Sequence, residues 1–99
     1  MQYLVIFQPK QKFQTEGVPD DFPKVEQAEE EQAQDLYMGG GLRQVWALDT
    51  KTRGAACLFE AEDEKDLQKM IDTFPLIKVD YADYQVYPLA PYPGFKKKS

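Results

Sequence analysis

The chain has 99 residues, 42% of them aliphatic or aromatic and 29% charged, a globular composition with room for one core and too little for two. A net charge of −5 opposes a phosphate backbone, so nucleic acid is not an expected partner. With no histidine and a lone Cys57, the sequence offers no disulfide, no common transition-metal ligand set and no usual proton shuttle. No cofactor or metal is expected.

From the amino end, Gln2-Tyr3-Leu4-Val5-Ile6-Phe7 is a run of aromatic, aliphatic and β-branched residues closed by Pro9, which predicts a first strand apolar on both faces. It is too short, and lacks the basic lead-in, for a signal peptide or membrane span, so a cytoplasmic protein without a membrane partner is expected. Lys10 to Phe22 is polar and holds Gly17 and Pro19, the marks of a loop; Phe22, before Pro23, is expected outside the helix that follows. Lys24 to Met38 is rich in Glu, Gln, Ala and Leu and predicts a helix stopped by Gly39-Gly40-Gly41.

Leu42 to Leu48 and Ala55 to Phe59 read as a hairpin joined by polar Asp49 to Gly54. In Ala61 to Phe74 the residues Leu67, Met70, Ile71 and Phe74 repeat at helical spacing, and Pro75 is expected to end that helix. Tyr81 to Leu89 predicts a last strand, and residues 91–99 an extended tail whose lysines are solubilising.

The resulting β-α-β-β-α-β order predicts an α+β, ferredoxin-like sandwich over residues 1–90: a four-stranded antiparallel sheet with both helices on one face. Helices on one face leave the other uncovered. Since Leu4 and Ile6 alternate with Tyr3, Val5 and Phe7, neither face suits water, and a second copy of the chain is the expected cover, giving a homodimeric α+β barrel.

At about 100° per residue, Phe22, Val25, Ala28, Ala33 and Leu36 gather on one side of the first helix, with Glu29 and Gln32 in the middle of it. Glu26, Glu30 and Glu31 fall elsewhere, on an expected solvated face. A carboxylate between Val25 and Ala33 loses hydration, which raises its proton affinity and fits it to act as a general base. Glu29 is therefore the candidate catalytic residue; a salt bridge or an edge position would make it merely structural. Arg43 and Gln44, the other candidate catalytic residues, interrupt an apolar strand; adjacent strand residues point to opposite faces, so at most one shares a cavity with Glu29 to orient a ligand oxygen, and the alternative for each is an interface or edge partner. Gln32, Trp46 and Tyr84 are the candidate substrate-binding residues, although aromatics in strands more often build core. Cys57, mid-strand beside Leu58 and Phe59, is expected to be an inert hydrophobe.

Three segments carry a family resemblance. Glu26-Gln27-Ala28-Glu29-Glu30-Glu31-Gln32-Ala33-Gln34-Asp35-Leu36 is similar to the acidic first helix of the muconolactone delta-isomerase family, Leu42-Arg43-Gln44-Val45-Trp46 to its Trp-Arg-His-Leu-Trp strand, and Phe74-Pro75-Leu76 with Tyr84-Gln85-Val86-Tyr87-Pro88-Leu89 to its Leu-Pro-Leu and final strand. The chain also resembles, more distantly, the YCII-related and antibiotic-monooxygenase-like dimeric α+β barrels. The resemblance implies an oligomeric, cofactor-free isomerase that moves a double bond in a small unsaturated lactone carboxylate, in aromatic degradation. It matches Glu29 to a family helix glutamate. Gln44 stands where the family has His and Glu26 where it has Lys, so the role of holding a carboxylate would pass to Arg43. The alternative expectation is a non-catalytic barrel that binds a small hydrophobic metabolite or serves as an accessory subunit.

Overall fold

The computed structural model describes residues 1–49 and 53–94. Along them run β1 (Gln2–Pro9), α1 (Gln11–Glu16), α2 (Phe22–Met38), β2 (Leu42–Ala47), β3 (Ala55–Glu60), α3 (Glu64–Ile71), α4 (Pro75–Lys78) and β4 (Ala82–Pro88). The strands form one antiparallel sheet of four in the order β2-β3-β1-β4. This is the expected ferredoxin-like sandwich. Residues 50–52 of the hairpin turn and 95–99 of the tail, including its lysines, lie outside the described residues.

Cross-strand partners share a face. Tyr3, Val5 and Phe7 of β1 pair with Phe59, Cys57 and Ala55 of β3, and this face packs against Leu67 and Ile71 of α3 and Ala33 and Leu36 of α2. Phe7, Phe59 and Phe74 meet edge to face with centroids 5.4–6.4 Å apart, the favoured aromatic geometry. On the other face Leu4 pairs with Leu58 and Ile6 with Ala56, all half-buried, while Trp46 and Tyr87 are 48% and 47% exposed. The helices cover one face only.

The structure corrects four local expectations. The segment read as a loop holds α1: the Lys10 N–H donates to the Tyr81 carbonyl at 3.0 Å, and Phe13 packs edge-on to Tyr81 and Phe22. Phe22 is the first residue of α2 despite preceding a proline, because its ring is fully buried and that packing outweighs the local preference. The second long helix starts at Glu64 instead of Ala61, where the Asp63 carboxylate accepts the Asp66 N–H at 2.8 Å. Pro75 begins a further helix, α4, after the preceding one has ended; as a first helical residue it needs no N–H partner.

A fifth difference bears on the site. β2 carries a bulge between Leu42, opposite Phe59, and Gln44, opposite Leu58, with Arg43 as the extra residue. An unbroken strand would put Leu42 on the same face as Trp46; the bulge moves Leu42 to the helix face with Val45 and Ala47, and leaves Gln44 and Trp46 on the open face.

Two glycines are required by geometry. Gly40 turns α2 into β2 at φ 87°, and a side chain at Gly54 would meet the Phe7 carbonyl oxygen at 2.7 Å. Phe59, fully buried at the centre of the aromatic cluster, sets the core's stability. Phe59→Ala is expected to lower it by about 3–5 kcal/mol, read from the midpoint of denaturant unfolding.

Candidate active site

α2 crosses the sheet with Val25, Ala28, Glu29, Gln32, Ala33 and Leu36 half-buried, which is the side its periodicity assigns to the sheet. Beneath its first turns, β1, the β2–β3 hairpin and α4 enclose a cavity of about 520 Å³. That volume suits a small organic molecule. Phe7, Phe22, Ala33, Val45, Phe74 and Leu76 make its walls mostly apolar, and Glu29 faces it.

One oxygen of the Glu29 carboxylate accepts the backbone N–H of Leu76 at 3.2 Å. Leu76 is the second residue of α4, where a helix N–H has no partner of its own, so Glu29 satisfies it from 47 residues away. Burial raises the Glu29 pKa, the Leu76 N–H partly offsets that, and the charge of nearby Glu26 raises it again, carrying it from 4.5 to about 7. No cation holds this carboxylate down among the described residues: every ion pair there involves Glu26, Glu60, Asp80 or Asp83.

Cys57 lines the same cavity. Burial, and then the charge of Glu29, push its thiol up to about 12. It stays neutral and takes no part as a nucleophile.

The remaining polar wall was not expected. Arg53, at the end of the hairpin turn, pairs with Glu26 at 3.3 Å and lies 5.8 Å from the centroid of the Phe22 ring. Arg53 is the sole basic side chain on the cavity wall among the described residues. Glu26 and Glu30, assigned in sequence to a solvated face, both border the cavity, and Glu26 is half-buried there. Their spacing of three or four residues from Glu29 or from each other keeps them on adjoining stripes of α2. Nothing in the pattern of a polar turn marks Arg53, since its partner lies 27 residues earlier.

The other sequence-derived candidates lie apart from the cavity within one chain. Gln44 and Trp46 are on the opposite sheet face, and Arg43 is the exposed residue of the bulge, so neither Arg43 nor Gln44 reaches Glu29. The Gln32 amide donates to the Thr73 hydroxyl at 2.8 Å, and that hydroxyl donates to the Met70 carbonyl at 2.6 Å, which ties α2 to the end of α3. Tyr84 is on the helix face but its hydroxyl exchanges hydrogen bonds with the Gln68 amide at 2.9 and 3.2 Å. No group of three or more Cys, Asp or Glu side chains among the described residues is placed to hold a metal ion, and no helix there is long and apolar enough to cross a membrane.

The sequence pattern that defines muconolactone delta-isomerases matches residues 1–94. The chain belongs to the muconolactone delta-isomerase family. Its fold agrees. A crystal structure of muconolactone isomerase at 3.3 Å resolution superposes with a TM-score of 0.73 at 20% identity, covering 100% of this chain and 98% of the other. A 5-chloro-2-hydroxyhydroquinone dehydrochlorinase from Burkholderia phenoliruptrix AC1100, in complex with 2,5-dihydroxybenzoquinone, gives 0.68 at 12% identity, covering 91% and 94%. No curated protein matches the chain in sequence. Membership of the muconolactone delta-isomerase family fits the α+β sheet-and-helix frame.

Two measurements follow from the electrostatics. The folded chain holds the Glu29 proton to higher pH than the unfolded chain does. The cost to the fold is absent below about 4.5, grows as pH rises toward about 7, and is complete above it. Glu29→Gln should remove this loss, on the order of 1–2 kcal/mol after allowance for solvent screening, in unfolding curves taken across that range. Cys57 should resist alkylation by iodoacetamide at neutral pH in the native chain and react once denaturant is added, as read by mass spectrometry.

Proposed function

We propose that the chain is a cofactor-free isomerase that moves a carbon–carbon double bond in a small unsaturated lactone by proton transfer through Glu29. The observation that carries this reading is a carboxylate whose proton affinity burial has raised to about 7, set against an apolar cavity of ligand size. A base with that affinity is matched to proton transfer near neutral pH.

In this mechanism the Glu29 carboxylate takes a proton from the ring carbon at the far end of the conjugated system. The electron pair moves through the double bond onto the carbonyl oxygen and forms a dienolate. The Glu29 carboxylic acid then returns the same proton to the carbon next to the carbonyl. Atoms and electrons balance without oxidant, reductant or metal. The Leu76 N–H holds one carboxylate oxygen and leaves the second for the proton. In this reading Arg53, on the same cavity wall, stabilises the oxygen that becomes negative, the part assigned in sequence to Arg43 or Gln44. The names of both structural neighbours point to small oxygenated rings, which supports the same substrate size.

Self-association belongs to this proposal. Leu4, Ile6, Leu58, Trp46 and Tyr87 give the open sheet face an apolar character that a second copy would cover, closing a dimeric α+β barrel with Gln44 at the interface. A cytoplasmic location is in keeping with the single free thiol.

Glu29→Gln should lower kcat for muconolactone by about 10²–10⁴-fold with the fold intact by circular dichroism. In the parent chain, kcat/KM should climb with pH below about 7 and level off above it, because the ionised carboxylate is the base. Equal turnover by the Gln variant would remove the mechanism and leave the binding-protein alternative.

A further inference from the structure

The charges on the cavity wall do not balance. Three of them are acidic, on Glu26, Glu29 and Glu30, and one is basic, on Arg53. Glu30 is exposed and screened by solvent, but Glu26 and Glu29 are half-buried one turn apart, and the charge of Glu26 makes ionisation of Glu29 harder. Arg53 is already paired with Glu26 at 3.3 Å. Beyond these groups the wall holds the uncharged polar side chains of Gln8 and Cys57 and is otherwise apolar, with Phe7, Phe22, Val45, Phe74 and Leu76.

A ligand that carries its own carboxylate into this space has two options. It can lie unpaired against apolar walls and two carboxylates, which costs its hydration. Otherwise it competes with Glu26 for Arg53, a pair whose side chains are 59% and 37% exposed, and adds a further negative charge beside Glu29. An uncharged ring meets neither difficulty. During proton transfer the single negative charge of Glu29 passes to the ring oxygen and comes back, so the total charge of the site never rises.

We propose that this site selects uncharged unsaturated rings, lactones or cyclic enones without a free carboxylate, and that Glu26 sets the selection through its pair with Arg53. Arg53 then serves the transient negative oxygen of the ring instead of a permanent anion. The inference rests on the isomerase reading for the placement of the ring beside Glu29, but its readout is binding and needs no turnover.

The test uses two probes that differ in one charge, muconolactone and muconolactone methyl ester, titrated calorimetrically into the full chain above neutral pH. The methyl ester is expected to bind about tenfold tighter than the free acid or better. Glu26→Gln should close that gap by admitting the acid, and Glu26→Lys should invert it. Added salt should also narrow the gap in the parent chain, a measurement that holds even if a variant fails to fold. Equal or tighter binding of the acid, a gap unmoved by Glu26→Gln, or binding of neither probe would overturn the proposal. Loss of the base assignment looks different: Glu29→Gln would still turn over the ester while the preference for the ester persisted.

Discussion

A single hydrogen bond, from the Leu76 N–H to the Glu29 carboxylate at 3.2 Å, joins the fold to the chemistry. The carboxylate lies between a helix and a sheet, where lost hydration raises its proton affinity, and this one donor returns part of what was lost. A lysine or arginine at the same spot would have pulled the group back into the ordinary carboxylate range. With no donor at all, a buried acid would stay protonated well past neutrality. The intermediate value of about 7 therefore depends on α4, a helix of four residues whose start is set by Pro75. The short helix is part of the site.

The sheet divides the molecule's tasks between its faces. On the covered face Phe7 is shared: it packs on Phe59 and Phe74 in the core and also lines the cavity, so the rigidity of the aromatic cluster is passed directly to the wall beside Glu29. On the open face the residues are also apolar, yet no helix reaches them. The bulge at Arg43 decides which residues of β2 belong to which face, and it separates Gln44 and Trp46 from the carboxylate. A second, smaller cluster of Phe22, Leu76 and Ala82, with Tyr81 stacked on Phe22 and Phe13 edge-on to both rings, closes the end of the cavity near α1.

Glu26 and Arg53 face each other across the cavity mouth, and their pairing leaves Glu29 as the sole carboxylate in the apolar part of the wall. A proton carried by Glu29 can leave and return without a net change in charge. That economy favours a neutral ring over an anionic one, and it follows from three side chains that come from one helix and one hairpin.

Order and periodicity were legible from the residues alone. The helical spacing of Val25, Ala33 and Leu36 placed Glu29 on the sheet-facing side, the alternation in Tyr3 to Phe7 placed apolar residues on both faces of β1, and the glycines after Met38 marked the end of α2. These are local regularities, set by the pitch of a helix and the pleat of a strand, and they need no partner to be read. The Arg53–Glu26 pair, the Leu76 donor, the displaced Arg43 and Gln44, and the helix that Pro75 starts belong to a different kind of fact. Each depends on where a residue distant in the chain comes to rest, or on a bulge that shifts the alternation by one place. No spacing encodes such contacts, because they arise only when the hairpin and α4 close around the same space as α2.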